Sequence, residues 1–204
     1  SAFGTETDER DGTVTTPVVV RGRQRGRLTL FTSGVPALSQ VVVLERAAAA
    51  LAIQLLIEDE DALVAKARRS VLADLVASRY TSPETIHARA AALGHTTRNR
   101  RFLPLVLLGA HQDLSRPVRR ALHDTHLDAL HGPLTADRWG VLLLLHRQQG
   151  EEQAETFARR LHELCEELGL PRLTIGMGGI VTDFHGVRPS FLEAGDVAQA
   201  AQAG

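Results

Sequence analysis

The sequence predicts an α+β protein: a β-hairpin and a long helix, then a βαββαβ unit closed by one more helix. Three observations carry this. β-branched residues crowd 14–20 and a second apolar block fills 28–31, with an arginine- and glycine-rich run between them. Residues 37–80 read as a long helical stretch whose first half is apolar almost all round. From Arg101 onward, short apolar runs alternate with amphipathic helices.

In the hairpin, one strand holds Val14, Thr15, Thr16, Val18, Val19 and Val20 and the other Leu28 to Phe31, with the turn expected over Arg21–Arg27. Ser33-Gly34-Val35-Pro36 breaks the chain and opens the long helix, with an interruption expected near Glu58–Asp61. Thr81-Ser82-Pro83-Glu84 has the form of a capping box with proline in the first turn, and Gly94 suits a C-terminal cap, so a short helix spans about 83–93. Arg101–Leu108 is an apolar run of strand length. Ser115-Arg116-Pro117 opens a helix with Val118, Leu122, Ala129 and Leu130 as its apolar positions. Strands over 132–135 and 139–146 are joined by a tight turn at Ala136-Asp137-Arg138. Glu151–Leu168 is the clearest helix, with Phe157, Leu161, Leu164, Cys165 and Leu168 on one stripe and Gly169 and Pro171 ending it. Arg172–Met177 is the last strand, and Ser190–Glu193, a second capping box, opens a final helix with Ala194, Val197, Ala198 and Ala201 on one face. The order β-α-β-β-α-β is the ferredoxin-like split βαβ arrangement, with its helices expected on one face of an antiparallel sheet.

Composition bounds the function. With 204 residues, 44% hydrophobic and 23% charged, the chain has the make-up of a soluble globular protein, and its length exceeds one domain of about 150 residues. One cysteine, Cys165, excludes an intramolecular disulfide framework and a CxxC metal knuckle; on its helix stripe it reads as inert core. A net charge of −1 and 4% aromatic residues argue against a nucleic-acid-binding chain or a stacking platform for single strands. Ser1–Gly12 is small, polar and acidic, unlike a signal peptide, and residues 1–13 are expected to be disordered or loosely held. Val41–Ile57 is the most apolar stretch, but Glu45, Arg46 and Gln54 interrupt it, and it falls short of the ~20 residues a span needs. A cytoplasmic protein without membrane contact is expected.

Several motifs carry a family resemblance. Thr135-Ala136-Asp137-Arg138-Trp139, followed by Gly140-Val141-Leu142-Leu143-Leu144, sits where GGDEF nucleotide cyclases carry Gly-Gly-Asp-Glu-Phe and an apolar strand. Leu173-Thr174-Ile175-Gly176-Met177-Gly178-Gly179, then Asp183, Gly186 and Val187-Arg188-Pro189-Ser190-Phe191-Leu192-Glu193-Ala194, resembles the end of the degenerate GGDEF-like domain of PucR/CdaR-type transcriptional regulators. Ser70–Arg79, followed by Ala90-Ala91-Ala92-Leu93-Gly94, is similar to that family's entry into the domain. Gly22–Phe31 with Val43–Ala52 resembles the last hairpin and closing helix of a GAF-like sensor domain. The resemblance implies the end of a GAF-like domain over 1–66, a helical linker over 67–94 and a degenerate GGDEF-like domain over 95–204. In that family a helix-turn-helix DNA-binding domain follows; it is expected to be missing from this chain, so DNA would be reached only through it.

The chemistry of a working cyclase is not written here. Joining two nucleoside triphosphates needs divalent ions held by hard carboxylate oxygens. The first strand ends Leu107-Leu108-Gly109-Ala110-His111, with no acid before Asp113. Thr135 and Ala136 replace the hairpin glycines, and Arg138 replaces the glutamate, a charge reversal. No catalytic residue, cofactor or metal site is therefore expected, and the chain reads as a non-catalytic regulatory module. The alternative is an active cyclase or another phosphoryl-transfer enzyme on the same fold.

Other clusters read as structure. His123, Asp124, His126, Asp128 and His131 could offer metal ligands, but a solvated helix face is the expectation. Arg21, Arg23, Arg25 and Arg27 read as an exposed hairpin turn, not a nucleic-acid contact. Gly176-Met177-Gly178-Gly179 does not lead directly into a helix, as a dinucleotide loop must, so it reads as a tight strand exit. No G-x-S-x-G elbow supports a hydrolase. Finally, Val41, Leu44, Ala48, Leu51 and Leu55 are expected to pack against a second subunit, giving a homodimer that answers to a small-molecule effector.

Overall fold

The computed structural model describes residues 4–8, 10–109 and 113–203, the side chains of 60–62 excepted. The chain divides into two compact units, 1–63 and 64–204.

Unit 1 is a three-stranded antiparallel sheet, in the order β1 (Glu6–Asp8), β2 (Thr13–Val20), β3 (Arg23–Phe31), with the first part of helix α1 (Leu38–Val76). β1 falls within the segment expected to be loosely held: Glu6 to Asp8 pair with Thr15 to Thr13. The β2–β3 turn is tighter than expected. Arg21 and Gly22, both at positive φ (50° and 74°), make a two-residue turn, and Arg23–Arg27 continue as strand. The pairing skips Arg25, between Val19↔Gln24 and Val18↔Gly26, and the bulged Arg25 reaches Asp59 at 3.0 Å. β2 alternates between buried and half-buried, with Val14, Thr16, Val18 and Val20 inward.

Helix α1 runs through the expected interruption at 58–61 without a break. Its Leu44 and Ala48 are buried, and Ala48 lines a groove of about 300 Å³ with Thr16 and Val19 of the sheet. Of the stripe Val41, Leu44, Ala48, Leu51 and Leu55, Leu44 and Ala48 are buried within the unit, Val41 and Leu55 are half-buried, and Leu51 is exposed. The open apolar side holds Val42, Val43, Ile53 and Ile57 instead. By length and composition α1 could cross a membrane: its most apolar 18 residues reach a mean hydropathy of 1.7 and are 11% buried.

Unit 2 holds α2 (Pro83–Ala92), β4 (Arg101–Leu108), α3 (Ser115–Asp124), β5 (Ala129–Pro133), β6 (Arg138–Leu145), α4 (Glu151–Glu167), β7 (Thr174–Met177) and α5 (Val187–Ala203). All neighbouring strands are antiparallel, in the order β5-β6-β4-β7. Helices cover both faces, not one. Leu103, Leu105, Leu107, Val141, Leu143 and Leu145 pack with α3 and α4. Phe102, Val106, Leu108, Leu142 and Leu144 pack with Val71, Leu72 and Leu75 of α1, Ile86 of α2, and α5. Burial on both faces is why β4 and β6 read as continuous apolar runs. Val71, Leu72, Leu75 and Ile86, within 67–94, belong to this core.

Two helix boundaries differ from the sequence reading. α3 stops at Asp124: the Thr125 hydroxyl donates to Ala121 O, Leu127 N bonds Leu122 O, and His126 turns to φ 54°. Ala129 and Leu130 therefore belong to β5. α5 begins at Val187, before Ser190, so Ser190 is not its cap. α2 matches its prediction, with Thr85 N donating to Ser82 Oγ and Gly94 at φ 82°.

Candidate functional site

The hairpin joining β5 and β6 stands beside the C-terminal end of β4, because Arg138 pairs with Leu108 in the sheet register. The backbone closes the turn through Leu134 N and Thr135 N, which both donate to Arg138 O (2.8 and 3.2 Å). Thr135 Oγ1 donates to Asp137 Oδ1 at 2.6 Å, so the one acidic residue of the hairpin ties down its own turn. Trp139 turns inward and is buried.

A cleft of about 110 Å³ opens here, lined by Leu108, Gly109, Asp137, Arg138, Gln199 and Gln202. Arg138 also approaches α5: a Cβ added at Gly195 would lie 3.9 Å from its Nη1. The cleft thus presents one guanidinium, one carboxylate and two amides. Gln199 and Gln202 were not foreseen, because nothing in the spacing of α5 shows which turn reaches the hairpin. Ala110 and His111, at the end of the first strand, lie outside the described residues. Asp113 is occupied at α3, where its Oδ1 accepts from Ser115 N at 2.8 Å. Burial opposes its ionisation, but the Ser115 hydrogen bonds and the charges of Arg69 and Arg119 outweigh this and hold its pKa below the usual range.

The histidine-rich segment is dispersed. Asp124 pairs with Arg120 and Arg160 (3.0 and 2.9 Å), and Asp128 takes His95 at 2.6 Å. His131 is buried beside Trp139, its ring planes 24° apart. Among the described residues no three His, Cys, Asp or Glu side chains converge on one point.

The glycine run is a packing device. A Cβ on Gly178 would fall 2.1 Å from Ser190 O, so the strand exit must be bare for α5 to close on it. Gly179 is clasped: its N–H donates to Glu193 Oε2 (2.9 Å) and its carbonyl accepts from Ser190 Oγ (2.6 Å).

A mixed α/β domain built on an antiparallel sheet, with a tight hairpin at one end, is the class these features define. Residues 77–200, more than half of the chain, match the GGDEF-like domain family, and the chain belongs to it. A comparison with curated proteins found no match.

Proposed function

We propose that this chain is the non-catalytic regulatory part of a PucR/CdaR-like transcriptional regulator. In this reading a ferredoxin-like βαββαβ domain has kept the cyclase frame and lost its chemistry, and the end of a GAF-like sensor domain precedes it. The strand order β5-β6-β4-β7 supports the frame. The observation that carries the loss of chemistry is Arg138: it lines the cleft at the end of β4 where the resemblance calls for a metal-binding glutamate. A fixed cation there repels the ions that triphosphate chemistry needs. Incubation with GTP and Mg²⁺ or Mn²⁺ is expected to give no dinucleotide; its formation overturns the reading.

Regulation in this reading runs through a cytoplasmic homodimer, a small-molecule effector taken by the sensor part, and DNA reached by a helix-turn-helix domain outside these residues. The open side of α1 supports the dimer. Positions 43, 46, 50, 53 and 57 follow a 3-4-3-4 spacing, occupied by Val43, Arg46, Ala50, Ile53 and Ile57. Val43, Ile53 and Ile57 are 65%, 61% and 50% exposed, an apolar seam suited to its own copy. Light scattering at tens of micromolar is expected to give a dimer that Ile53→Glu with Ile57→Glu converts to a monomer. A strict monomer that sediments with lipid vesicles assigns the seam to a membrane and overturns the dimer.

A further inference from the structure

A cavity of unit 2 lies at the other end of its sheet from the hairpin. It encloses about 710 Å³ beside Arg101, the first residue of β4. The hairpin stands at Leu108, seven residues and roughly 23 Å along the same strand.

The cations in this cavity have few anions to answer them. Asn99 sits at φ 57° in the turn before β4, and the flanking Arg98 and Arg100 both line the cavity. Arg147 joins them from the segment after β6. Among the described residues, none of these three arginines forms an ion pair with a carboxylate. Arg101 is partly engaged, donating from Nη2 to Gln149 O. Among the described residues the carboxylate on the wall is Asp183, and it accepts a bond from Gly186 N at 3.0 Å within its own turn. Three guanidiniums around one concave space repel each other; Asp183 on the wall and Glu84 near Arg98 answer only part of that charge, and an anion from solution relieves the rest.

Aromatic rings back the cavity. Phe184 has its ring centroid 4.9 Å from Phe102 and 4.8 Å from His87. Phe102 and Val181 exchange two backbone hydrogen bonds (2.7 and 2.9 Å), which fix this wall to β4. Thr97 Oγ1 holds His87 Nδ1 at 2.6 Å, leaving Nε2 as the ring's second polar atom. His87 titrates below its ordinary value, from burial first and then from the charge of Arg98.

We propose that this cavity binds a phosphorylated small molecule, its phosphate held by Arg98, Arg100 and Arg147 and its carbon frame laid against the Phe184–His87 side. A phosphate ester carries close to two negative charges and three acceptor oxygens, and guanidinium forks match it. A monocarboxylate would leave most of the cationic charge unanswered. The volume far exceeds a phosphate ion and falls in the range of organic ligands. This site goes beyond the regulatory reading and stands without it, since it uses neither the hairpin nor α1.

The test is titration of the full chain with inorganic pyrophosphate, ADP and citrate, followed by calorimetry and by the ring resonances of His87 and His185. Pyrophosphate and ADP are expected to shift both rings and to bind at least tenfold tighter than citrate. Arg100→Ala with Arg147→Ala should weaken pyrophosphate at least tenfold. Should that double variant not fold, Arg147→Glu alone, at an exposed position, should do the same. Unmoved rings, citrate binding equal to pyrophosphate, or affinity unchanged in the variants would each overturn the proposal.

Discussion

Gly176 lies flush against Ala194: a Cβ built on Gly176 would fall 2.0 Å from the Ala194 carbonyl oxygen and 2.6 Å from Ala198 N. Both obstacles are backbone, so no rotamer change relieves them. Helix α5 covers β7 and the apolar face of β4 through this approach. Gly176→Ala must therefore move the helix or strain the strand. We expect a loss of about 2 kcal/mol or more, at the upper side of overpacking costs, read as a lowered urea midpoint with an unchanged slope. Gly26→Ala is the control, since nothing lies within 4 Å of its Cβ position.

His131 gives the stability a pH signature. Burial lowers its pKa to about 4, aided by the positive charges of Arg68, Arg119 and His95 and opposed by Asp113. Among the described residues neither ring nitrogen has a hydrogen-bond partner. The unfolded chain takes a proton at this histidine below about pH 6.5, the folded protein only below about 4. Between these values the unfolded state binds more protons, so stability falls as the pH drops. The contribution is at most about 3.5 kcal/mol, at about 1.4 kcal/mol per pH unit. His87, also lowered, acts with the same sign. Thermal unfolding from pH 7 to 4.5 is expected to show the decline, and His131→Phe, which keeps a ring against Trp139, should flatten most of it.

Cys165 is buried at 1% exposure on the inner stripe of α4, and burial raises its thiol pKa. A thiol both covered and protonated reacts only when the helix opens. Ellman's reagent at pH 8 is expected to leave the native protein unmodified for hours and to react within seconds in guanidinium chloride. A fast stoichiometric reaction with the folded protein would contradict this packing.

The legible parts of the fold were those governed by local physics. Ser82 and Gly94 bounded α2 because capping is a matter of neighbours. The stripe of α4 named Phe157, Leu161, Leu164 and Cys165 as buried because one helix face meets one core, whereas Leu168, at the C-cap, is 45% exposed. What misled was context. Nothing in one sequence says that Ala48 of α1 shares a groove with Thr16 and Val19 of β2. Helices on both sheet faces were hidden for the same reason, although the unbroken run Phe102–Leu108 carried the signal. At the hairpin the residues were legible, including the reversal at Arg138, but the two glutamines of α5 that share its cleft were not.

Ser190 separates the local reading from the tertiary one. As a helix cap it would share its role with Glu193, and loss of either would fray α5 to a similar extent. In the structure Ser190 is 4% exposed inside the helix and donates to Gly179 O, whereas Glu193 is exposed and accepts from Gly179 N. Removing the buried hydroxyl leaves a carbonyl without its donor, while the exposed amide can turn to water. Ser190→Ala is therefore expected to cost about 1–3 kcal/mol and Glu193→Ala less than about 1 kcal/mol. Chemical denaturation of both variants gives the comparison. Equal losses, with faster amide exchange confined to the first turn of α5, would return Ser190 to a capping role.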